Sequence, residues 1–230
     1  MDQKLNAAER RVLGALMEKS MTQPDYYPMT LNAIVTACNQ KSNRDPVMEL
    51  DDETIWDTLE TLRLRGLVGK ILAAPGSRVD RFRHDVDKTW GWEKPQRAIM
   101  TELLLRGPQT VGELRTRCSR MYAFQDLATV SAVLESLITL ESPVVEPLPR
   151  VPGQSTIRYT HLLYPEEEQL QSATASSSNT ADKVATPATA IDPDETQRLT
   201  EQVQTLENQV TELYETVADL ARRLDTLEGR

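Results

Sequence analysis

The stretch TLNAIVTAC, residues 30–38, returns farther along the chain as TVGELRTRC, residues 110–118. In each copy a Thr opens an apolar-periodic segment and a Cys closes it. The correspondence continues in the segments that follow, where 53–62 lies over 128–137 and 81–84 lies over 158–161. Self-similarity on this scale indicates that the chain contains one structural unit twice.

Each unit has the pattern of three helices followed by a β-hairpin. In the first unit, Asn6 with Glu9 forms a capping-box pair, Thr30 opens a second helix, and the acidic run 51–53 suits the start of a third. Pro75-Gly76 is typical of a type II turn, so 67–72 and 79–84 are predicted to pair as strands.

The second unit repeats this scheme, with helices predicted around 95–106, 110–119 and 127–139 and a hairpin at 144–162. A helix, a helix-turn-helix and a two-stranded wing together indicate a winged helix. We therefore predict a mainly α protein with small β wings, built from tandem winged-helix domains at 1–88 and 89–165. The stretch CNQKSNRDP, residues 38–46, is predicted to be the loop of the first helix-turn-helix, because Pro46 disfavours helical geometry before it.

Several longer blocks cover nearly all of residues 5–164: CNQKSNRDPV (38–47), GSRV (76–79), RH (83–84), LRGPQT (105–110), GELRTR (112–117), LPR-x-PG (148–153) and RY-x-HLL (158–163). Together these blocks resemble the YceH family of bacterial proteins. The resemblance implies a tandem winged-helix fold and carries over no catalytic residue. The segment after about residue 165 has no counterpart in these blocks, so we expect it to be particular to this branch.

Charge is distributed unevenly along the chain. Residues 1–165 carry 21 Lys+Arg and 21 Asp+Glu, whereas residues 166–230 carry 5 and 14, so the net charge of −9 arises in the last segment. The pI near 4.9 therefore says little about the globular part. The chain opens with MDQKLNAAERR, which is not a signal sequence, and contains no run of about 18 apolar residues. We expect a cytoplasmic protein without membrane contact.

The last segment divides into a linker and a heptad repeat. Residues 166–195 are dominated by Ala, Ser and Thr and predict a disordered linker. Over 196–229 a strict heptad predicts a coiled coil, with β-branched a positions and Leu d positions that favour a parallel dimer, although the absence of a polar a residue leaves a trimer open. An amphipathic helix folded back on the globular part is the alternative. The oligomerisation residues are Leu199, Val203, Leu206, Val210, Leu213, Val217, Leu220, Leu224 and Leu227.

The residue types that usually carry chemistry favour structural roles here. Cys38 and Cys118 occupy equivalent apolar positions, which indicates buried side chains rather than reactive thiols. His84 and His161 are also equivalent, and no Cys or His pair has the short spacing of zinc sites. Phosphate-binding Gly loops, G-x-S-x-G and H-E-x-x-H are absent from the sequence. We expect no catalytic residue, no metal and no cofactor.

The basic residues predict a nucleic-acid surface on the wings and the loop. An Arg-rich wing can lie along phosphates or enter a minor groove. The third helix argues against major-groove binding, because Asp51, Asp52, Glu53, Asp57 and Glu60 precede its Arg residues. The candidate nucleic-acid-binding residues are Lys41, Arg44, Arg78, Arg81, Arg83, Arg150 and Arg158.

Together these patterns predict a non-enzymatic, DNA-associated or regulatory protein that dimerises through its C-terminal coiled coil. The alternative is an adaptor that uses its winged helices for protein–protein contacts and does not bind nucleic acid. Winged helices serve both purposes, so the fold alone does not choose between them. The expected partners are a second copy of the chain and either DNA or another protein.

Overall fold

The computed structural model of the chain describes residues 4–73, 79–150 and 156–165. Over these ranges the chain is mainly helical, with seven α-helices and two three-stranded antiparallel sheets. No helix in this part of the chain is long and apolar enough to cross a membrane. The predicted linker and coiled coil lie outside the described residues.

Repeat 1 begins with α1 (Ala7–Thr22), a short 3-10 helix (Pro24–Tyr26) and β1 (Met29–Thr30). It continues with α2 (Leu31–Cys38), α3 (Asp52–Leu64), β2 (Val68–Ile71) and β3 (Arg81–His84). β3 is the central strand and pairs antiparallel with both neighbours, so the strand order is β1-β3-β2. The hairpin predicted from the Pro-Gly pair is thus present as β2 and β3.

After a single turn, α4 (Val86–Thr89), repeat 2 follows the same order. Its elements are α5 (Lys94–Arg106), β4 (Gln109–Thr110), α6 (Val111–Cys118), α7 (Leu127–Ile138), β5 (Val145–Pro147) and β6 (Arg158–His161). The strand order β4-β6-β5 reproduces that of repeat 1. A helical fold with small sheets in this order is compatible with a winged helix in each repeat.

The helix starts follow the sequence signals. The Asn6 side chain accepts a hydrogen bond from the Glu9 amide at 2.9 Å, and the Glu9 carboxylate accepts one from the Asn6 amide at 2.8 Å. Thr110 and Glu113 form the same capping box on α6, and Asp51 caps α3. The sequence did not predict β1 or β4, because a two-residue strand is too short to show a period.

The first helices of the two repeats, α1 and α5, pack against each other between the repeats. α1 is buried on every side from Glu9 to Lys19, and α5 is buried from Ala98 to Leu105. Gly14 allows α1 and α5 to pack this closely, since a Cβ atom at that position would lie 2.9 Å from Leu105 Cδ2. Both repeats therefore contribute to one hydrophobic core within one compact unit. The domain boundary near residues 88–89 stays a prediction.

Candidate functional site

The loop 38–46 turns its Arg inward. Arg44 has a fully buried side chain, and its Nη2 donates to Glu18 Oε2 at 2.6 Å. Its Nε and Nη2 also donate to the carbonyl of Ala37, at 3.1 and 2.8 Å. A guanidinium that is buried and bonded to Glu18 and Ala37 cannot reach a phosphate. The prediction that Arg44 contacts nucleic acid is therefore wrong, because burial and the Glu18 carboxylate hold it in the core.

Glu18 is the centre of a buried ionic cluster that joins the repeats. Its carboxylate pairs with Arg44 in repeat 1 and with Arg120 in repeat 2. Burial alone would raise the pKa of Glu18, but the hydrogen bond and charge of Arg44, followed by the charge of Arg120, lower it below its usual value. Arg120 also lies 3.7 Å from Glu102, whose pKa is raised by burial. We call Glu18, Lys19, Arg44, Glu102 and Arg120 the seam cluster.

Further hydrogen bonds tie the same loop to α5. The Asp45 amide donates to the Leu105 carbonyl at 2.9 Å, and Arg106 Nη1 donates to Asn43 Oδ1 at 3.1 Å. Arg11 of α1 donates to the carbonyl of Cys38 at 3.0 Å. The loop is thus a structural junction between the two repeats.

Most of the other predicted nucleic-acid residues lie at the surface. Lys41, Arg81 and Arg150 are exposed, whereas Arg83 and Arg158 are partly buried. The side chains of Arg83 and Arg158 keep 42% and 40% of their surface, respectively, in solvent. Arg78 lies outside the described residues.

The wing arginines have partners within the protein. Arg83 Nε lies 3.3 Å from Asp85 Oδ1, and Arg158 Nη2 lies 3.5 Å from Glu113 Oε2. Arg81 Nη1 donates to the carbonyl of Pro28 at 2.8 Å. Exposed ion pairs of this kind are weak and could exchange for phosphate. They nevertheless reduce the positive field that the wings present.

The acidic face of α3 is exposed, as the sequence indicated. Asp52, Glu53 and Asp57 are solvent-facing, and Asp51 caps the helix from an exposed position. Glu60 pairs with Arg63 at 2.9 Å on the same helix. In a DNA-reading winged helix this surface would meet the major groove. Here it would bring negative charge toward phosphate.

Five of the exposed large apolar side chains lie between residues 56 and 79, on α3, on β2 and in the segments next to β2 and β3. Trp56 packs edge-to-face on Phe82, with ring centroids 6.0 Å apart, and Lys70 Nζ lies 4.8 Å from the Trp56 ring centre. Glu60, Arg63, Lys70 and Leu72 line a groove of about 350 Å³ in this region. We call the exposed apolar set the α3–wing face: Trp56, Leu64, Ile71, Leu72 and Val79.

The cysteines are buried, as predicted. Cys38 and Cys118 are both inaccessible to solvent, and burial raises the pKa of Cys38 to about 12 and that of Cys118 still further. Thiols this far from ionisation are poor nucleophiles. Within the described ranges, no group of three His, Cys, Asp or Glu residues could hold a metal ion.

The histidines end the last strand of each sheet, in equivalent positions. His84 Nε2 lies 3.0 Å from Ser20 Oγ, and His161 Nδ1 accepts a hydrogen bond from the Leu163 amide at 3.2 Å. Burial is the main cause that lowers the pKa of His84 to about 4 and that of His161 to about 3. Both imidazoles are therefore neutral core groups at pH 7.

The comparisons with known proteins give one family. The family described as "Protein of unknown function, DUF480" matches residues 5–154. A UPF0502 protein of Pelobacter propionicus is 44% identical over 230 residues, which covers 100% of this chain and 99% of the relative. A UPF0502 protein of Geobacter metallireducens is 50% identical over 163 residues, covering 71% of this chain and 74% of the relative.

A third relative bears on the C-terminal segment. A UPF0502 protein of Shewanella sp. strain MR-7 is 39% identical over 227 residues, covering 97% of both chains. Because this alignment and the Pelobacter alignment extend far beyond residue 165, the expectation that the segment after that residue is particular to one branch is wrong. The family match and these identities also agree with the resemblance seen in the sequence. The chain belongs to the DUF480/UPF0502 family of YceH-like bacterial proteins.

Proposed function

We propose that this chain is a non-enzymatic tandem winged-helix protein that binds a protein partner through the α3–wing face. One observation carries this proposal: of the eight large apolar side chains exposed in the described ranges, five belong to this face. Leu64 and Leu72 are 80% and 74% exposed. Single exposed apolar side chains are ordinary, whereas a concentration of them among polar neighbours is typical of an interaction surface.

The charges around the face favour a protein over a nucleic acid. The neighbouring residues Asp52, Glu53 and Asp57 are exposed and acidic, and such a surface would repel phosphate. A partner that fits would offer apolar side chains to Trp56 and Leu72 and basic side chains to the acidic rim. This is the adaptor alternative from the sequence, and the geometry favours it over DNA association.

DNA association remains the second candidate because of the wings. Arg81 is exposed, and Arg83 and Arg158 keep two-fifths of their side-chain surface in solvent. Each phosphate that such residues neutralise would add about −0.9 to the slope of log K against log salt concentration. Binding through the wings would show poor discrimination between sequences, because phosphate contacts carry no base information.

Affinity purification of the full-length protein from its native cell, with and without nuclease, separates the two functions. In the adaptor function, Leu64→Ser with Leu72→Ser should reduce recovery of specific partner proteins about tenfold, the loss expected when apolar anchors are removed. Leu127→Ser is the matched control, since Leu127 is an exposed Leu of α7. Arg81→Ala with Arg83→Ala should leave recovery unchanged.

The DNA function predicts the opposite result. Partner recovery would then be abolished by nuclease, and the purified protein would bind arbitrary duplex DNA at 50 mM salt with a steep salt dependence. Loss of that binding in the Arg81→Ala, Arg83→Ala variant, with the Leu64→Ser, Leu72→Ser variant unaffected, would refute the adaptor function.

We further propose that the segment 196–229 dimerises the chain as a parallel coiled coil. The heptad of Leu and Val supports this proposal. In the full-length protein, Leu213→Asp with Val217→Asp places charge in the seam and should convert a dimer into a monomer in light scattering at micromolar concentration. Thr211→Asp with Ala218→Asp adds the same charge at two outward positions and should leave the dimer intact. A wild-type monomer would contradict the coiled coil.

A further inference from the structure

A cavity of about 300 Å³ opens between the C-terminal half of α1, the 3-10 helix and the exposed side of α2. Its walls are mostly apolar, and the polar side chains among them are Lys19, Gln23, Tyr26, Thr36 and Gln40. The lining that matters here is Lys19, Tyr26, Met29, Ala33, Ala37 and Gln40. The volume is at the lower end of the range for small-molecule sites. None of its lining residues belongs to the α3–wing face, which lies on α3, on β2 and next to the two strands.

The cavity has a cation in its wall. The Lys19 side chain is 90% buried, since only 10% of its surface is accessible. Its ammonium can donate three hydrogen bonds. In the part of the chain that the structure describes, Nζ lies 3.5 Å from Gln40 Oε1 and 3.8 Å from Glu18 Oε2. Both distances are long, so the ammonium has hydrogen-bonding capacity to spare.

The seam cluster also holds more positive than negative charge near this cation. Lys19, Arg44 and Arg120 all converge on the Glu18 carboxylate. Burial and the charges of Arg44 and Arg120 lower the pKa of Lys19, while Glu18 opposes that change. Glu102, which lies 3.7 Å from Arg120, is the second carboxyl group of the cluster, and burial raises its pKa. A second anion beside Lys19 would balance the cluster.

We propose that this cavity binds a small organic carboxylate, with the carboxylate on Lys19 Nζ and a short apolar body against Met29, Ala33 and Ala37. A buried charge is costly unless it is closely paired, so the anion would supply a nearer partner than Glu18 Oε2, which lies 3.8 Å from Lys19 Nζ. The Gln40 side-chain amide lies close enough to Lys19 to contact the same carboxylate. The apolar wall favours a ligand with an apolar body over small, strongly hydrated anions such as phosphate.

The cavity lies next to the ion pairs that connect the two repeats, so a bound ligand can affect how the repeats are held together. Glu18 is adjacent to Lys19 in the chain and binds Arg120 of repeat 2. Placing an anion on Lys19 reduces the repulsion that Lys19, Arg44 and Arg120 exert on one another. The bound carboxylate should therefore stabilise the seam between the repeats, and its binding should raise the melting temperature of the full-length protein.

Isothermal titration of the full-length protein with hexanoate at pH 7 tests this site. Hexanoate should bind saturably and raise the melting temperature, whereas hexanamide, which has the same apolar body without charge, should bind at least about tenfold more weakly. Inorganic phosphate at the same concentration should not compete. Lys19→Met should weaken hexanoate binding by about tenfold or more.

Two further variants separate the site from general effects of charge and folding. Lys41→Met removes the same charge from an exposed position and should change hexanoate affinity by less than about twofold. Ala33→Phe keeps Lys19 but fills the cavity from the exposed side of α2, and should abolish binding without lowering the melting temperature. No saturable hexanoate binding, equal binding of phosphate, or wild-type affinity in Ala33→Phe would each overturn the proposal.

Discussion

Replacing Glu18 by Gln should lower the free energy of unfolding by about 3–5 kcal/mol, the range for breaking a buried ion pair by removing one partner. Gln has nearly the same volume as Glu, so the loss reports charge rather than packing. Without the carboxylate, the buried guanidinium of Arg44 has no counter-ion at hydrogen-bond distance among the residues that the structure describes. The loss of the carboxylate costs Arg120 less free energy, because more than a third of its side chain is accessible to solvent.

Urea unfolding of the variant and of a matched control measures this effect. Glu135→Gln changes the same group on the exposed face of α7 and should stay within about 0.5 kcal/mol of the wild type. The double variant Glu18→Leu, Arg44→Met removes both buried charges together. It should therefore be more stable than the sum of the two single losses implies. A loss below 1 kcal/mol in Glu18→Gln would mean that Arg44 is solvated and free to bind other groups.

The element order could be predicted from the sequence because its signals are local. Capping residues such as Asn6, Thr30 and Thr110 mark helix starts within one turn. Alternation and Pro-Gly pairs mark the hairpins in the same way. Because the structural unit occurs twice, each signal appears twice in the sequence. The apolar position of Cys118, for example, supported the prediction that Cys38 is buried. The strands β1 and β4 were not predicted, because they consist of two residues each.

The seam cluster could not be predicted because it depends on how the repeats pack. In an isolated amphipathic α1, Glu18 and Lys19 would lie on the solvated side of the helix. They are buried because α5 and the loop 38–46 cover that side. The burial of Arg44 could not be predicted either, because a basic residue in a polar loop normally lies at the protein surface. Gly14 was the one local sign of a close helix contact, and a single Gly in a helix is a weak signal.

The stability of the protein should also fall on mild acidification, by about 4 kcal/mol between pH 7 and pH 5. Burial lowers the pKa of His84 to about 4 and that of His161 to about 3, whereas both titrate near 6.5 in the unfolded chain. The unfolded state therefore binds more protons in this window. The stability is fully present above pH 6.5 and is lost as the pH falls toward 4, at about 2 kcal/mol per His by pH 5.

Other groups have smaller or opposite effects in the same window. Glu102, whose pKa is raised by burial, gains a proton in the folded state as the pH falls and opposes the loss. Arg44 and Arg120 lower the pKa of Glu18 below its usual value of 4.5. The stability that its carboxylate contributes is therefore lost only when the pH falls below that value. The interval from pH 7 to pH 5 therefore reports mainly on the two imidazoles.

Urea unfolding at pH 7, 6 and 5 checks this expectation, and the variants assign it. The chain contains two His residues, so His161→Gln should remove about half of the pH dependence, and His161→Gln with His84→Gln should remove nearly all of it. Protonation of His161 would break the bond that its Nδ1 accepts from the Leu163 amide, whereas a Gln side-chain oxygen can accept that bond at any pH. The slope with pH is the decisive quantity, because the variants also change the absolute stability. A double variant that keeps the wild-type slope would show that the imidazoles are solvated and that the acid sensitivity arises in the seam cluster instead.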